Sequence, residues 1–250
     1  MTLFVDIGNS RIKLWLVNEG MVEAVFSHTD EQKILAWLRH HSDIHCIVVA
    51  SVRSKQATEQ LLLSISMPLY KVLFVSYDEA LLTSAYANPQ QLGIDRWLVT
   101  LAAKSIRPHA QPVIIVDAGT AMTIDVLSAD GKHTGGYIVP GLNMQVSALG
   151  QHTHKVQVQD PQWSSLSIGQ NTKECVSHGA LAAMVALIKQ TKNNLENEQS
   201  MPVLLYLTGG DAELIRPFIS EATYIKELVL LGLMIAAKYP INQELVKCEG

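Results

Sequence analysis

Apolar residues gather in short runs between turn-forming residues, and the first run, Thr2–Asp6, ends in Asp6-Ile7-Gly8-Asn9-Ser10. Arg11–Val17 then alternates polar and apolar residues at strand period, Asn18-Glu19-Gly20 reads as a hairpin turn, and Met21–Phe26 reads as a third strand. Thr29 or Asp30 is placed to cap a helix running to about His41. Cys46–Ala50 reads as a buried strand, the stretch after Ser54 as a helix and Tyr70–Val75 as another strand, the alternation of an α/β sheet. Asn88–Gly93 reads as a loop. From Asp95 to about Ile106 helical spacing resumes, with Trp97, Leu98, Leu101 and Ala102 on the expected inner face.

After the Pro-containing stretch Arg107–Pro112 the opening pattern returns. Val113–Asp117 is an apolar strand ending in Asp117-Ala118-Gly119-Thr120-Ala121, followed by a strand Met122–Leu127, a turn Ala129–Lys132 and a strand Thr134–Val139. Two copies of strand, Asp-x-Gly turn, strand, turn, strand imply a duplicated fold. The expected division falls near residue 110, giving halves 1–110 and 111–250 that face each other across a ligand cleft. The second half is expected to hold long helices near 171–195 and 226–238 and a strand, Val203–Thr208, ending in Gly209-Gly210-Asp211.

Composition narrows the class. Of 250 residues, 48% are hydrophobic and 17% charged, which suits a packed globular chain and excludes a disordered one. A formal charge of −4 without a basic run argues against nucleic acid or an anionic membrane surface as a partner. Asp6 interrupts any secretory h-region, and the apolar stretch Leu228–Ala237 falls far short of the roughly 20 residues that cross a bilayer, so a cytoplasmic protein is expected. Cys46, Cys175 and Cys248 are too few and too scattered for a disulfide framework or a zinc site.

An apolar strand ending in Asp-x-Gly with Asn, Ser or Thr beside it suits a nucleotide phosphate. Glycine lets backbone N–H groups approach the anion, the hydroxyl or amide adds donors, and the Asp can hold Mg²⁺ directly or through water. Either motif alone is as readily an ordinary Asp-Gly turn; the pair, with the later Gly209-Gly210 turn, is more specific. The P-loop, dinucleotide-binding and protein-kinase signatures are absent. His40-His41 and His152-x-His154 lack companion metal ligands. Gly93-Ile94-Asp95-Arg96 places a carboxylate and a guanidinium at a helix start, where Asp95 is either a helix cap or a reacting group.

Four blocks, Asp6-Ile-Gly-Asn-Ser-Arg-Ile-Lys13, Gly93-Ile-Asp-Arg96, Asp117-Ala-Gly-Thr-Ala121 and Gly135-Gly-Tyr-Ile-Val-Pro-Gly141, closely resemble the type III pantothenate kinases in order and spacing. Gly169-Gln-Asn-Thr172 resembles a fifth block, and the region after about 185 is generic. The resemblance implies a duplicated actin-like (ribonuclease H-like) α/β fold of the acetate and sugar kinase, Hsp70 and actin superfamily. It implies ATP-dependent phosphorylation of pantothenate to 4'-phosphopantothenate at the start of coenzyme A synthesis. The cofactors it implies are Mg²⁺ and a monovalent cation, K⁺ or NH₄⁺, and the assembly a homodimer.

By motif position, Asp6, Ile7, Gly8, Asn9, Ser10, Arg11, Ile12 and Lys13 would bind ATP together with Thr120. Asp95 would be the general base, and Tyr86, Gly93, Ile94, Asp95 and Arg96 would contact pantothenate. Thr172 would reach the substrate of the neighbouring subunit, Asp117 would hold the monovalent cation and Asp6 the Mg²⁺. Ser10 stands where many relatives have threonine and keeps the hydroxyl. The competing readings are a non-catalytic nucleotide-binding accessory or regulatory protein of the same family, and a kinase of another small hydroxylated substrate.

Overall fold

The computed structural model describes residues 1–242 apart from 42, 65–70, 154, 155 and 157. In chain order the first elements are β1 (Thr2–Ile7), β2 (Ile12–Asn18), β3 (Met21–His28), α1 (Glu31–Leu38), β4 (Cys46–Ser51), α2 (Lys55–Ser64), β5 (Lys71–Phe74) and α3 (Ile94–Ile106). There follow β6 (Val113–Ala118), β7 (Ala121–Leu127), β8 (His133–Pro140), α4 (Leu142–His152), α5 (Thr172–Gln199), β9 (Leu204–Thr208), α6 (Ala212–Ile215), β10 (Thr223–Tyr224) and α7 (Leu228–Ala236). Among the described residues they group into two compact units, Met1–Ile106 with residues 227–242, and Arg107–Lys226.

In the first unit the strand order is β3-β2-β1-β4-β5, with β1 antiparallel to β2 and parallel to β4. In the second it is β10-β9-β6-β7-β8, with β6 antiparallel to β7 and parallel to β9. Read from the opposite edge, the two orders coincide: β6, β7, β8, β9 and β10 repeat β1 to β5. Even the register irregularities correspond, at Leu16/Val17 in β2 and Val126/Leu127 in β7. The duplicated α/β fold expected from the repeated Asp-x-Gly pattern is therefore present.

Local chemistry explains the boundaries. Asn18 pairs with Met21 across Glu19 and Gly20, both at positive φ (49° and 83°), the turn whose twist matches that of the flanking strands. Asp30, not Thr29, caps α1, its carboxylate accepting the Gln32 N–H at 2.8 Å. The expected loop at 88–93 contains a short 3-10 turn, Pro89–Gln91, capped by Asn88. The strand expected at Tyr70–Val75 is seen as Lys71–Phe74, and Tyr70 lies outside the described residues.

Each unit has its own core. Leu3, Val5, Ile7, Leu14, Ile34 and Val49 pack in the first, and Ile114, Val116, Ile124, Leu181, Met184 and Leu205 in the second. The apolar face of α5 is thus spent on the core of its own chain. Buried in the second unit, His133 Nε2 lies within hydrogen-bond distance, 2.8 Å, of Asp125 Oδ1, a contact that joins β7 to β8.

Helix α3 departs from the one-sided pattern. The expected inner residues Trp97, Leu98, Leu101 and Ala102 are buried, but so is every residue from Arg96 to Ala103. The reason is α7, which returns from the far end of the chain to pack on α3, β1 and β4. The helix expected near 226–238 therefore belongs with the first unit, whereas a division at 110 would assign it to the second. No helix among the described residues is long and apolar enough to cross a membrane. Cys46 and Cys175 are free thiols; Cys248 and His154 lie outside the described residues.

Candidate active site

The first Asp-x-Gly turn sits where β1 passes into β2. Asp6 is paired with Lys13 and Ile7 with Ile12, leaving Gly8 to Arg11 to make the turn, closed by the Gly8 N–H donating to the Arg11 carbonyl at 2.9 Å. Asp6 is half-buried, while Asn9, Ser10 and Arg11 are exposed. Lys13 is held by an ion pair to Glu227 at 2.9 Å, and the same carboxylate oxygen accepts the indole N–H of the buried Trp15 at 2.5 Å. Nothing in the local sequence pointed to Glu227, which lies 214 residues from Lys13. The turn is also held from the β4–α2 loop, where Arg53 Nε donates to the Gly8 carbonyl at 3.0 Å.

The second turn is one residue shorter. Asp117 pairs with Thr123 and Ala118 with Met122, so only Gly119 to Ala121 intervene, and the Gly119 N–H donates to the Ala121 carbonyl at 3.0 Å. Thr120 is exposed and its carbonyl accepts the Gly141 N–H at 3.0 Å, which brings the start of α4 against the turn. The third glycine turn joins them, the Asp211 N–H donating to the Ala118 carbonyl at 2.8 Å. Gly209 has φ +99°, and a Cβ there would collide with the Ala118 carbonyl and the Asp117 carboxylate, so only glycine allows this approach. Burial pushes the Asp211 carboxyl above the usual carboxylate range.

The Gly93–Arg96 segment opens α3. The Trp97 N–H bonds to the Gly93 carbonyl at 2.9 Å, so the helix begins on Gly93 and Asp95 lies inside its first turn. Its carboxylate folds back over Gly93 and accepts the Arg96 N–H at 2.9 Å. Arg96 is buried at 4% exposure, and its Nη1 donates to Tyr86 Oη at 2.7 Å with the guanidinium 5.8 Å from the centre of the tyrosine ring. Tyr86, ten residues before Arg96 in the chain, is thus brought against it at the first turn of α3, where Asp95 also lies.

Thr172 is the first residue of α5, and it is exposed. The cap is Asn171, whose side chain accepts the Glu174 N–H at 3.0 Å while Glu174 accepts the Gln170 N–H at 2.8 Å. That reciprocal pair satisfies the helix start without the threonine hydroxyl. The Gln170 N–H, first, and Asn171 hold the Glu174 carboxyl below its usual range.

Among the described residues no three His, Cys, Asp or Glu side chains gather to hold a metal ion. Asp6 and Asp117 each place one half-buried carboxylate at the end of a strand. That donor set fits hard cations that draw their remaining ligands from phosphate oxygens and water.

Two sheets of one topology, each with a strand-end Asp-x-Gly turn that carries an exposed hydroxyl residue, Ser10 or Thr120, define an actin-like α/β protein. A solved structure from Sinorhizobium meliloti assigned as a 2-dehydro-3-deoxygalactonokinase shares this fold, with TM-score 0.55 and 15% identity over 95% of this chain and 98% of that one. Another, from Campylobacter jejuni and assigned to the Baf family of transcriptional activators, gives TM-score 0.65 and 24% identity over 94% and 97%. The sequence model of the type III pantothenate kinase family matches residues 2–194. The type III pantothenate kinase of Acinetobacter baumannii is 34% identical over 96% of this chain and 98% of its own length. The chain belongs to the type III pantothenate kinase family.

Proposed function

We propose that the protein transfers the γ-phosphate of ATP to the hydroxyl of pantothenate, giving 4'-phosphopantothenate and ADP, with Asp95 as the general base. The observation that carries this reading is the opening of α3. There a half-buried carboxylate lies beside a buried arginine that Tyr86 holds in place, in a chain that matches a type III pantothenate kinase over 96% of its length.

Phosphoryl transfer passes through a loose transition state, so positioning and neutralisation matter more than proton removal. The backbone N–H groups and hydroxyl of Asn9 to Arg11, with Thr120, receive the phosphates; Lys13, steadied by Glu227, adds positive charge. Asp95 accepts the proton of the pantothenate hydroxyl, and Arg96, with Tyr86, fixes the substrate. Mg²⁺, held at Asp6, and a monovalent cation, held at Asp117, would neutralise phosphate charge when bound. Coenzyme A synthesis from ATP and pantothenate fits the cytoplasm.

The active form is a homodimer in which Thr172 contacts the substrate of the neighbouring copy. In support, Thr172 is exposed and relieved of capping. The same unit also exposes Tyr137 and Ile138 on β8, Met144 and Leu149 on α4, and Ile168 at 94%. Light scattering at twice the chain mass supports this; a monomer that turns over fully refutes it.

The deciding assay couples ADP release to a chromogenic reaction with Mg-ATP, with and without pantothenate, in potassium and in sodium buffers. Pantothenate-dependent turnover that is faster in potassium is the expected result. Absence of turnover in both buffers, from folded protein that still binds ATP, would assign the protein to nucleotide sensing or to another hydroxylated substrate.

A further inference from the structure

Arg53 lies outside every motif the sequence offers, yet it touches the backbone of the first turn. Its Nε donates to the Gly8 carbonyl at 3.0 Å, and its Nη1 is ion-paired with Glu31 of α1 at 2.7 Å. Its own N–H is fixed by Ser51 Oγ at 3.1 Å, and the adjacent Val52 N–H donates to the Ile7 carbonyl at 3.1 Å. Two successive carbonyls, the last of β1 and the first of the turn, are therefore tied to the β4–α2 loop. The Arg53 side chain is 23% exposed, so it is packed rather than waving in solvent.

We propose that Arg53, clamped by Glu31, is a positioning residue that aims the Asn9 N–H at the nucleotide phosphates by holding the Gly8 carbonyl. In a trans peptide the carbonyl of one residue and the N–H of the next point in opposite directions. Gripping the Gly8 oxygen on one side therefore fixes the Asn9 N–H on the other. Glycine rotates more freely than other residues, so this peptide would turn over readily if released, presenting a carbonyl oxygen to the anion in place of a donor. Glu31 holds the guanidinium in the orientation this grip requires, since a planar fork serves two acceptors at once. The inference rests on the reading of residues 6–13 as the phosphate turn, and it assigns Arg53 an effect on phosphate binding alone.

The test titrates ADP and adenosine, with Mg²⁺, into the wild type, Arg53→Ala and Arg53→Lys. Protein-observed NMR reads weak as well as tight binding. Steady-state KM values for ATP and pantothenate are measured alongside. Arg53→Ala is expected to weaken ADP by about tenfold, the scale of a lost charge-assisted hydrogen bond. Adenosine affinity and the KM for pantothenate should stay near wild type, with Arg53→Lys recovering part of the loss. Equal losses for ADP and adenosine would reduce Arg53 to a structural role, and unchanged ADP binding would remove it altogether. If Arg53→Ala does not fold, Glu31→Gln carries the test, with a several-fold loss for ADP only as the expected result and no loss overturning the proposal. Wild-type protein that binds ADP but does not phosphorylate pantothenate would sink the substrate assignment and leave this inference standing; failure of the wild type to bind ADP would sink both.

Discussion

Asp95 and Arg96 are neighbours in sequence but are held by different means. Arg96 is buried and anchored through its guanidinium to Tyr86, whereas Asp95 is half-buried and curls over Gly93. Removing the Asp95 charge should leave the two Asp-x-Gly turns untouched. Asp95→Asn is therefore expected to lower kcat by about 10²–10⁴-fold, the usual scale of general-base assistance, while ATP affinity stays near wild type. Near-normal turnover in that variant would take the base role away from Asp95. Gly209 makes a different demand, since its positive φ and its contact with the Ala118 carbonyl both exclude a Cβ. Gly209→Ala should cost roughly 1–3 kcal/mol of stability in urea unfolding, from backbone strain, and should also disturb the Asp117 carboxylate. A variant with the wild-type urea midpoint would show that the turn tolerates rearrangement.

Among the elements, α5 shows how a long helix is tied down at both ends. Its start is closed by the Asn171–Glu174 pair, and near its end Glu196 is ion-paired with Lys192 at 2.6 Å and accepts the Val203 N–H at 3.2 Å. Lys192, first, and the Val203 N–H hold the Glu196 carboxyl below its ordinary range. A carboxylate depressed in the folded state contributes stability that is fully present above its unfolded value, about 4.3, and is lost as the pH falls through the folded value. Glu196→Gln is accordingly expected to lower Tm at pH 7, with the difference from wild type shrinking progressively in acid. A Tm difference independent of pH would show that packing, not charge, links α5 to β9. The site turns obey similar local rules: the Asp-x-Gly spacing after an apolar run was readable in advance. That the second turn is one residue shorter, and that α4 abuts it, depended on pairing between strands and on a helix the sequence pattern did not signal.

For the molecule as a whole, Glu227 and α7 complete the first unit. Glu227 satisfies the buried Trp15 indole and Lys13, and α7 covers α3. Deleting residues 227–250 should therefore expose the α3 face and leave the Trp15 N–H unpaired, unfolding the first unit while the second stays protected. Hydrogen exchange followed by mass spectrometry reads this directly; equal protection of both units in the truncated chain would contradict it. The sequence by itself determined the duplication, the strand-end turns, the helix starting near Asp95 and the family, because each is written in local periodicity, turn chemistry or contiguous motifs. Only the tertiary structure decided that α7 joins the first unit and that α3 is buried all round. It also supplied Glu227 and Arg53 as supports of the first turn. Those facts depend on residues distant in sequence meeting in space, and no local pattern of hydrophobic and polar positions encodes which partner a buried face will find.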